Sequence, residues 1–276
     1  MDRADVLAEF NNQMRRNPAP EPGCRVERDE RVTRIVSDGD GWNAVLWTDL
    51  ADADAGAYAD ADADADADAG AYAGAVIDAQ IRRFAEVAEP WEWKYYSYDR
   101  PAQLPSLLQA AGFVADPAET VLVARIADLN LDMRPPAGVK LIPVTDAHGA
   151  AAVVRVHDEV FGGEHAATGA AILAALESQP RSVEAVVAVA GDTPVSSARV
   201  EFHRDSDFAS LWGGGTLPSW RRRGVFRSLV AYRAQLAMER GYRYLHVDAS
   251  PDSRPIFQRL GFTELAVTIP FRYPGY

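Results

Sequence analysis

The chain has 276 residues, a formal net charge of −12 and 48% hydrophobic residues, enough apolar material for one large core or two ordinary ones. No apolar run approaches the roughly 20 residues that span a bilayer, the N-terminus reads as no secretory signal, and the acidic balance argues against a general nucleic-acid binder. Cys24 is the only cysteine, so no intrachain disulfide forms and a cytoplasmic location is expected.

In chain order, "MDRADVLAEFNNQMRR" reads as a short polar helix ended by a Pro-rich break. "RVTRIVSD" and "GWNAVLWTDL" read as two strands joined by the turn "DGDG". Residues 51–74 then hold seven aspartates and no lysine or arginine; without them the formal charge is −5. Dense like charge and the small area of alanine predict a disordered Asp-Ala insertion. It lacks the glycine turn and terminal glutamate of a calcium loop.

"AVIDAQIRRFAEVAE" has apolar residues at helical spacing. The aromatic "WEWKYYSYD" is strand-like, "PAQLPSLLQAAGF" a short helix ended by Gly112, and "ETVLVARIA" a strand. Pro135, Pro136 and Gly138 mark a linker. Beyond it come a strand, two helices around Gly162-Gly163, three strands, a long helix "GVFRSLVAYRAQLAMERG", the strand "YRYLHVDAS", the helix "PDSRPIFQRLGF" and a closing strand. These breaks give an N-terminal extension (1–24), a first domain (25–130) carrying the insertion, a linker (131–137) and a second domain (138–276).

Residues 93–113 and 242–262 have equal length and the same order: strand, loop, helix, then Gly-Phe. An internal duplication accounts for this. The halves differ just before the long helix. The second half has "GGGTLPSWRRRGVF" there, and the first has the Asp-Ala tract.

A helix leaves its first N–H groups unbonded, and its dipole makes that end positive. Arginine is mildly unfavourable there, so the run reads as an anion site in preference to a solvated charge cluster. Small residues before the loop and Gly224 at its end let a phosphate approach the backbone. The loop is neither a Walker loop nor a dinucleotide fingerprint. A nucleotide or phosphosugar site fits the anion but not the element order.

Strand, "P-x-x-R-x-R-G-x-x", long helix, strand and a short helix ending in "LGF" resemble the GCN5-related N-acetyltransferases (GNAT) over about 138–276. The first half is similar to a degenerate copy, as in tandem members of that family. The resemblance implies an α/β (α+β) fold of two GNAT-like mixed β-sheet domains with flanking helices. It implies acetyl-CoA as cosubstrate, held by Gly214, Gly215 and Thr216 along the pantetheine arm and by Arg222, Arg223, Gly224, Val225, Phe226 and Arg227 around the pyrophosphate. Ser250 stands where the family often has a cofactor-contacting asparagine, Phe226 where it has a small residue, and Phe257 where it often has a tyrosine proton donor. The implied reaction is acetyl transfer to a primary amine of a small molecule or peptide. The alternative is a non-catalytic acyl-CoA sensor.

For the catalytic base the sequence offers His246 and Glu201. His246 alternates with Leu245 and Val247 and so points away from their face; it also reads as a hydrogen-bonded strand histidine. Glu201 and His203 share a strand face, which also reads as a solvated sheet surface, and water can carry the proton instead. His157 and His165 read as surface or cap residues. No metal site, nucleic acid or membrane partner is expected, and a homodimer is compatible with the sequence.

Overall fold

The computed structural model describes residues 2–20, 23–38, 41–50, 64–87 and 90–274, with the backbone alone for 64–69. The expected turn at 39–40, the first half of the insertion (51–63) and the end of the predicted helix at 88–89 lie outside the described residues. In chain order the elements are α1 (Arg3–Phe10), β1 (Cys24–Arg28), β2 (Val32–Ser37), β3 (Ala44–Thr48), α2 (Asp64–Ala85), β4 (Trp91–Tyr96), α3 (Leu104–Ala110), β5 (Val114–Ala115), β6 (Glu119–Arg125) and β7 (Val139–Pro143). There follow α4 (Ala147–Phe161), α5 (Ala166–Glu177), β8 (Val183–Ala190), β9 (Thr193–Phe202), β10 (Phe208–Thr216), α6 (Val225–Glu239), β11 (Tyr244–Ala249), α7 (Arg254–Arg259) and β12 (Thr263–Tyr273).

Packing divides the chain into two units, one of residues 2–121 with 265–276 and one of residues 122–264. The division read from the sequence at 131–137 differs from this. The segment 131–137 lies within the second unit, and the closing strand contributes its residues from Leu265 onward to the first.

In the first unit the sheet runs β1-β2-β3-β4-β12, with β5 also on β12. The β1–β2 and β2–β3 pairs are antiparallel and β3–β4 is parallel. The Asp2 carboxylate caps α1 by accepting from Ala4 N at 2.8 Å, the usual role of a short acid before a helix. The helix continues through a wider turn, Asn11–Arg16, and buries Val6, Phe10 and Arg15. Arg15 donates to Leu46 O and to Asp99, each at 2.9 Å, and lies 3.9 Å from the Tyr96 ring centroid. The ion pair and the ring offset the cost of burying the guanidinium. Residues read as an extension thus supply part of this core.

The reading of 51–74 as disordered needs correction over its second half. Residues 64–74 are helical, the opening turns of α2. Tyr72, Ala73, Val76, Ile77 and Phe84 form one apolar stripe against Trp91, Trp93, Leu104 and Leu108. Phe84 stacks on Trp91 with centroids 4.2 Å apart. Alanine is the strongest helix former, and burying an apolar face supplies most of a helix's stability. Glu27 on β1 fixes the same helix from its polar side: it accepts from Arg83 of α2 at 3.0 Å and from Arg34 of β2 at 2.9 Å. These bonds lower the Glu27 pKa to about 2, with Arg83 the largest cause.

The second unit has the strand order β6-β11-β10-β9-β8-β7. Pairs from β7 to β10 are antiparallel, and β10–β11 is parallel. Helix α6 covers one face, burying Val230, Ala234 and Ala237 against Val200, Leu211, Leu245 and Val247. Each unit is a mixed sheet with flanking helices, as the sequence predicts.

The two stretches matched in the sequence end their helices alike. Gly112 and Gly261 both have positive φ, +96° and +100°, and both end their helices in the left-handed conformation that glycine adopts freely. Phe113 N donates to Leu108 O and Phe262 N to Phe257 O, each at 3.1 Å. Leu108 is therefore the counterpart of Phe257.

Candidate functional site

The parallel pair β10–β11 is short. Its register runs from Phe208↔Tyr244 through Ala209↔Leu245 to Ser210↔His246. Beyond that row no ladder joins the two strands among the described residues, although β10 continues to Thr216 and β11 to Ala249. A bulge interrupts β10 between Trp212 and Gly215, with Gly213 at φ +57°. Backbone groups released from a ladder need other partners, and a bulge is a common way to free them.

The chain leaves β10 through Leu217 and a tight turn, Pro218–Trp220. Arg221 Nε donates to Thr216 O at 3.0 Å, and the Arg223 guanidinium lies 4.9 Å from the Trp220 ring. Arg222 and Gly224 both have positive φ, +62° and +89°. Gly224 is the N-cap of α6 and offers no side-chain cap. Only Arg227 Nη2, at 3.5 Å, approaches the place where its Cβ would stand. The start of α6 thus has no side-chain cap for its first N–H groups, which as in any helix lack intrahelical partners, and it lies beside exposed arginines 221, 222, 223 and 227. This is the geometry of an anion site at a helix start.

The three glycines of β10 are not simply bare backbone. A Cβ on Gly213 would meet the His157 ring at 2.9 Å, one on Gly214 the Phe226 ring at 2.9 Å, and one on Gly215 Val160 at 3.1 Å. Side chains from α4 and α6 lean onto the strand, and only glycine leaves room for them. Phe226 fills the space beside Gly214 and meets buried Phe257 edge to face at 5.5 Å. Val225 and Thr216 are buried, and the Thr216 hydroxyl bonds the Ser196 hydroxyl at 2.7 Å. Val225 can contribute to a ligand only through its backbone. Ser250 is exposed before α7, its hydroxyl 3.1 Å from that of Ser253.

The structure brings the two sequence-selected base candidates into one row. Ser210 stands opposite Glu201 on one side and His246 on the other, and directly opposed residues share a sheet face. Glu201 accepts from Arg199 Nε at 2.8 Å. Ser210 Oγ bonds His203 Nε2 at 2.8 Å and accepts from Trp212 Nε1 at 2.7 Å. His246 is buried, with its ring 6.1 Å from that of His203. This face lies opposite the one that packs on α6.

Sequence reasoning passed over a second histidine cluster. His157 on α4 is buried, and its Nε2 lies 3.0 Å from Gly213 O. A carbonyl only accepts, so Nε2 carries the proton. Burial, then the nearby His165 and Arg199 charges, push its pKa down against the Gly213 bond. His165 is the residue before α5, as the cap reading expects, but its Nδ1 also lies 3.0 Å from Asp158 and its ring 5.5 Å from that of His157. The available signal was the helix break between them, which folds residue 165 back over 157 and 158.

Residues 150–262 match the model of the Acetyltransferase (GNAT) family. This segment is a GNAT domain. The GCN5-related N-acetyltransferase from Kribbella flavida matches with a TM-score of 0.67 at 19% identity, covering 99% of this chain and 96% of its own. A GCN5-related N-acetyltransferase from Sphaerobacter thermophilus gives 0.58 at 12% identity, with 99% and 86% covered. A tandem GNAT protein from the clavulanic acid biosynthesis pathway gives 0.53 at 15%, with 92% and 84% covered. At these identities the likeness is one of fold, and it extends over the N-terminal half, which is GNAT-like. No curated protein matches. Among the described residues no helix is long and apolar enough to cross a membrane. The unpaired end of β10–β11 and the start of α6 both belong to the GNAT domain.

Proposed function

We propose that the chain is a cytoplasmic acyl-CoA-dependent N-acyltransferase, with acetyl-CoA the parent cosubstrate and a primary amine of a small molecule or peptide the acceptor. The observation that carries the reading is the uncapped, arginine-flanked start of α6 at the end of two parallel strands that cease to pair. The amides of Val225, Phe226 and Arg227 would hold the pyrophosphate, with Arg222, Arg223 and Arg227 adding charge. The backbone of Gly214, Gly215 and Thr216 would bond the pantetheine arm, and Ser250 would border it. When bound, the thioester supplies an activated acyl carbonyl.

The acceptor amine must be neutral to attack, so a group of the chain or a water must take its proton. His246 is the favoured base. Glu201 already has its carboxylate bonded to Arg199. Phe257 has no hydroxyl to protonate the departing thiolate, but an ordinary thiol has a pKa of roughly 8.5 and can leave as the anion.

A sensor that binds acyl-CoA without transfer is the second reading, favoured by the Phe226–Phe257 contact beside Gly214. Thiol release from acyl-CoA with a panel of amines separates the two. Turnover with any amine supports the transferase, and saturable CoA binding with no turnover supports the sensor.

A further inference from the structure

Arg233, in the middle of α6, is 1% exposed. Its Nε donates to Leu229 O and its Nη1 to Arg199 O, both at 3.0 Å. Its Nη2 is buried and has no hydrogen-bond partner among the described residues. Burial, then the Arg199 charge, lowers the pKa to about 9, which leaves the group cationic at neutral pH. Both bonded partners are neutral carbonyls, and no acid forms an ion pair with Arg233 among the described residues. A fully buried charge without a counter-ion is strongly disfavoured, and buried donors rarely go unmet.

The unmet Nη2 is close to a particular place. Nη2 lies 3.9 Å from where a Gly214 Cβ would stand, and the Phe226 ring edge lies 2.9 Å from that same point. Gly214 is in the bulged stretch of β10 where the ladder to β11 has ended. A side chain on residue 214 would close this space. The glycine leaves it to Phe226, which is only half-buried and is the group that must yield to a ligand.

We propose that Arg233 is a specificity residue for the acyl group, binding a carboxylate at its far end, so that the preferred cosubstrate is a dicarboxylic monoacyl-CoA rather than a neutral one. The inference rests on the acyl-CoA reading above. A carboxylate supplies what the site lacks: a negative charge, and two oxygens for the two free N–H bonds of Nη2. A neutral carbonyl would meet the donors and leave the charge uncompensated.

Succinyl-CoA and butyryl-CoA have four-carbon acyl chains and differ at the end group. Calorimetry should show wild-type protein binding succinyl-CoA at least about tenfold tighter than butyryl-CoA, the scale of a charged hydrogen bond. Arg233→Met should erase that preference. Equal affinities in a wild-type chain that binds CoA would overturn the inference and leave Arg233 a structural residue met by water. A preference that survives in folded Arg233→Met would also overturn it. If Arg233→Met does not fold, the wild-type comparison decides alone. A chain that binds none of CoA, succinyl-CoA or butyryl-CoA defeats the acyl-CoA reading itself, a result distinct from binding without preference.

Discussion

Phe226 and Phe257 meet edge to face with ring centroids 5.5 Å apart, and the Phe226 ring stands where a side chain of Gly214 would otherwise go. The three positions form one packing unit. Gly214→Ala should destabilise the protein by about 1–3 kcal/mol, the usual cost of overpacking. Its φ is not in the left-handed region, so the loss is steric. In a Phe226→Ala background the same substitution should cost less than about 0.5 kcal/mol, since the obstructing ring is gone. Denaturant melts of the two single variants and the double variant measure this coupling. Additive losses would mean that the contact is not the constraint.

Gly224 combines a φ of +89° with open space around its missing Cβ. Gly224→Asp places a carboxylate where the pyrophosphate is proposed to sit and strains the backbone by about 1 kcal/mol. We expect a folded variant whose CoA affinity falls by about 10- to 100-fold, through like-charge repulsion and lost access to the amides. Titration calorimetry at fixed ionic strength is the check. Unchanged affinity would remove the phosphate-loop assignment.

In the first unit, Glu27 should make stability fall in acid. Its pKa is depressed to about 2, chiefly by the Arg83 hydrogen bond, against roughly 4.3 for a free glutamate. A depressed carboxylate stabilises the fold fully above its unfolded pKa, and that contribution is lost as pH falls through the folded one. The window is therefore about pH 4.5 down to 2, and the loss is at most about 3 kcal/mol. Glu27→Gln should be less stable at pH 7 and show a flatter pH dependence of melting below pH 5. Parallel curves for the two proteins would show that the clamp contributes nothing.

Much of the fold was legible because its signals are local. Gly112 and Gly261 announce the two helix ends, and the Arg-Gly run announces the start of α6. The start of α2 was not legible, because alternating Asp-Ala looks like solvated chain until Trp91, Trp93 and Leu108 are placed beside it. Ala73 is fully buried in that contact. Ala73→Asp should therefore cost more than about 2 kcal/mol by burying an unpaired carboxylate. Thermal melting tests this, and a near-neutral result would mean that the helix detaches at little cost. The site was legible in its backbone and less so in its side chains. The orphaned Nη2 of Arg233 and the His157–His165 contact exist only once α6 and the α4–α5 break are folded onto β10.

The base is the part of the chemistry that the row Glu201–Ser210–His246 can decide. Glu201 is held by Arg199 at 2.8 Å, so Glu201→Gln should change kcat less than about threefold. His246 is buried in the last paired row of β10–β11, beyond which the strands stop sharing bonds, and it is the proposed base. A histidine base makes kcat/KM rise with pH over the histidine range, roughly pH 6 to 8, and is worth on the order of 100-fold or more. His246→Ala should lower kcat by about that factor, flatten the rising limb and leave CoA affinity intact, since the proposed anion site follows the other end of β10. His165 is the control, because Asp158 orients it as a base is usually oriented,. If His165→Ala removes the limb and His246→Ala does not, the proton passes to the Asp158–His165 pair, and His246 is only a packing residue between Phe208 and His203. If neither variant moves the limb, it belongs to the amine substrate, and water carries the proton.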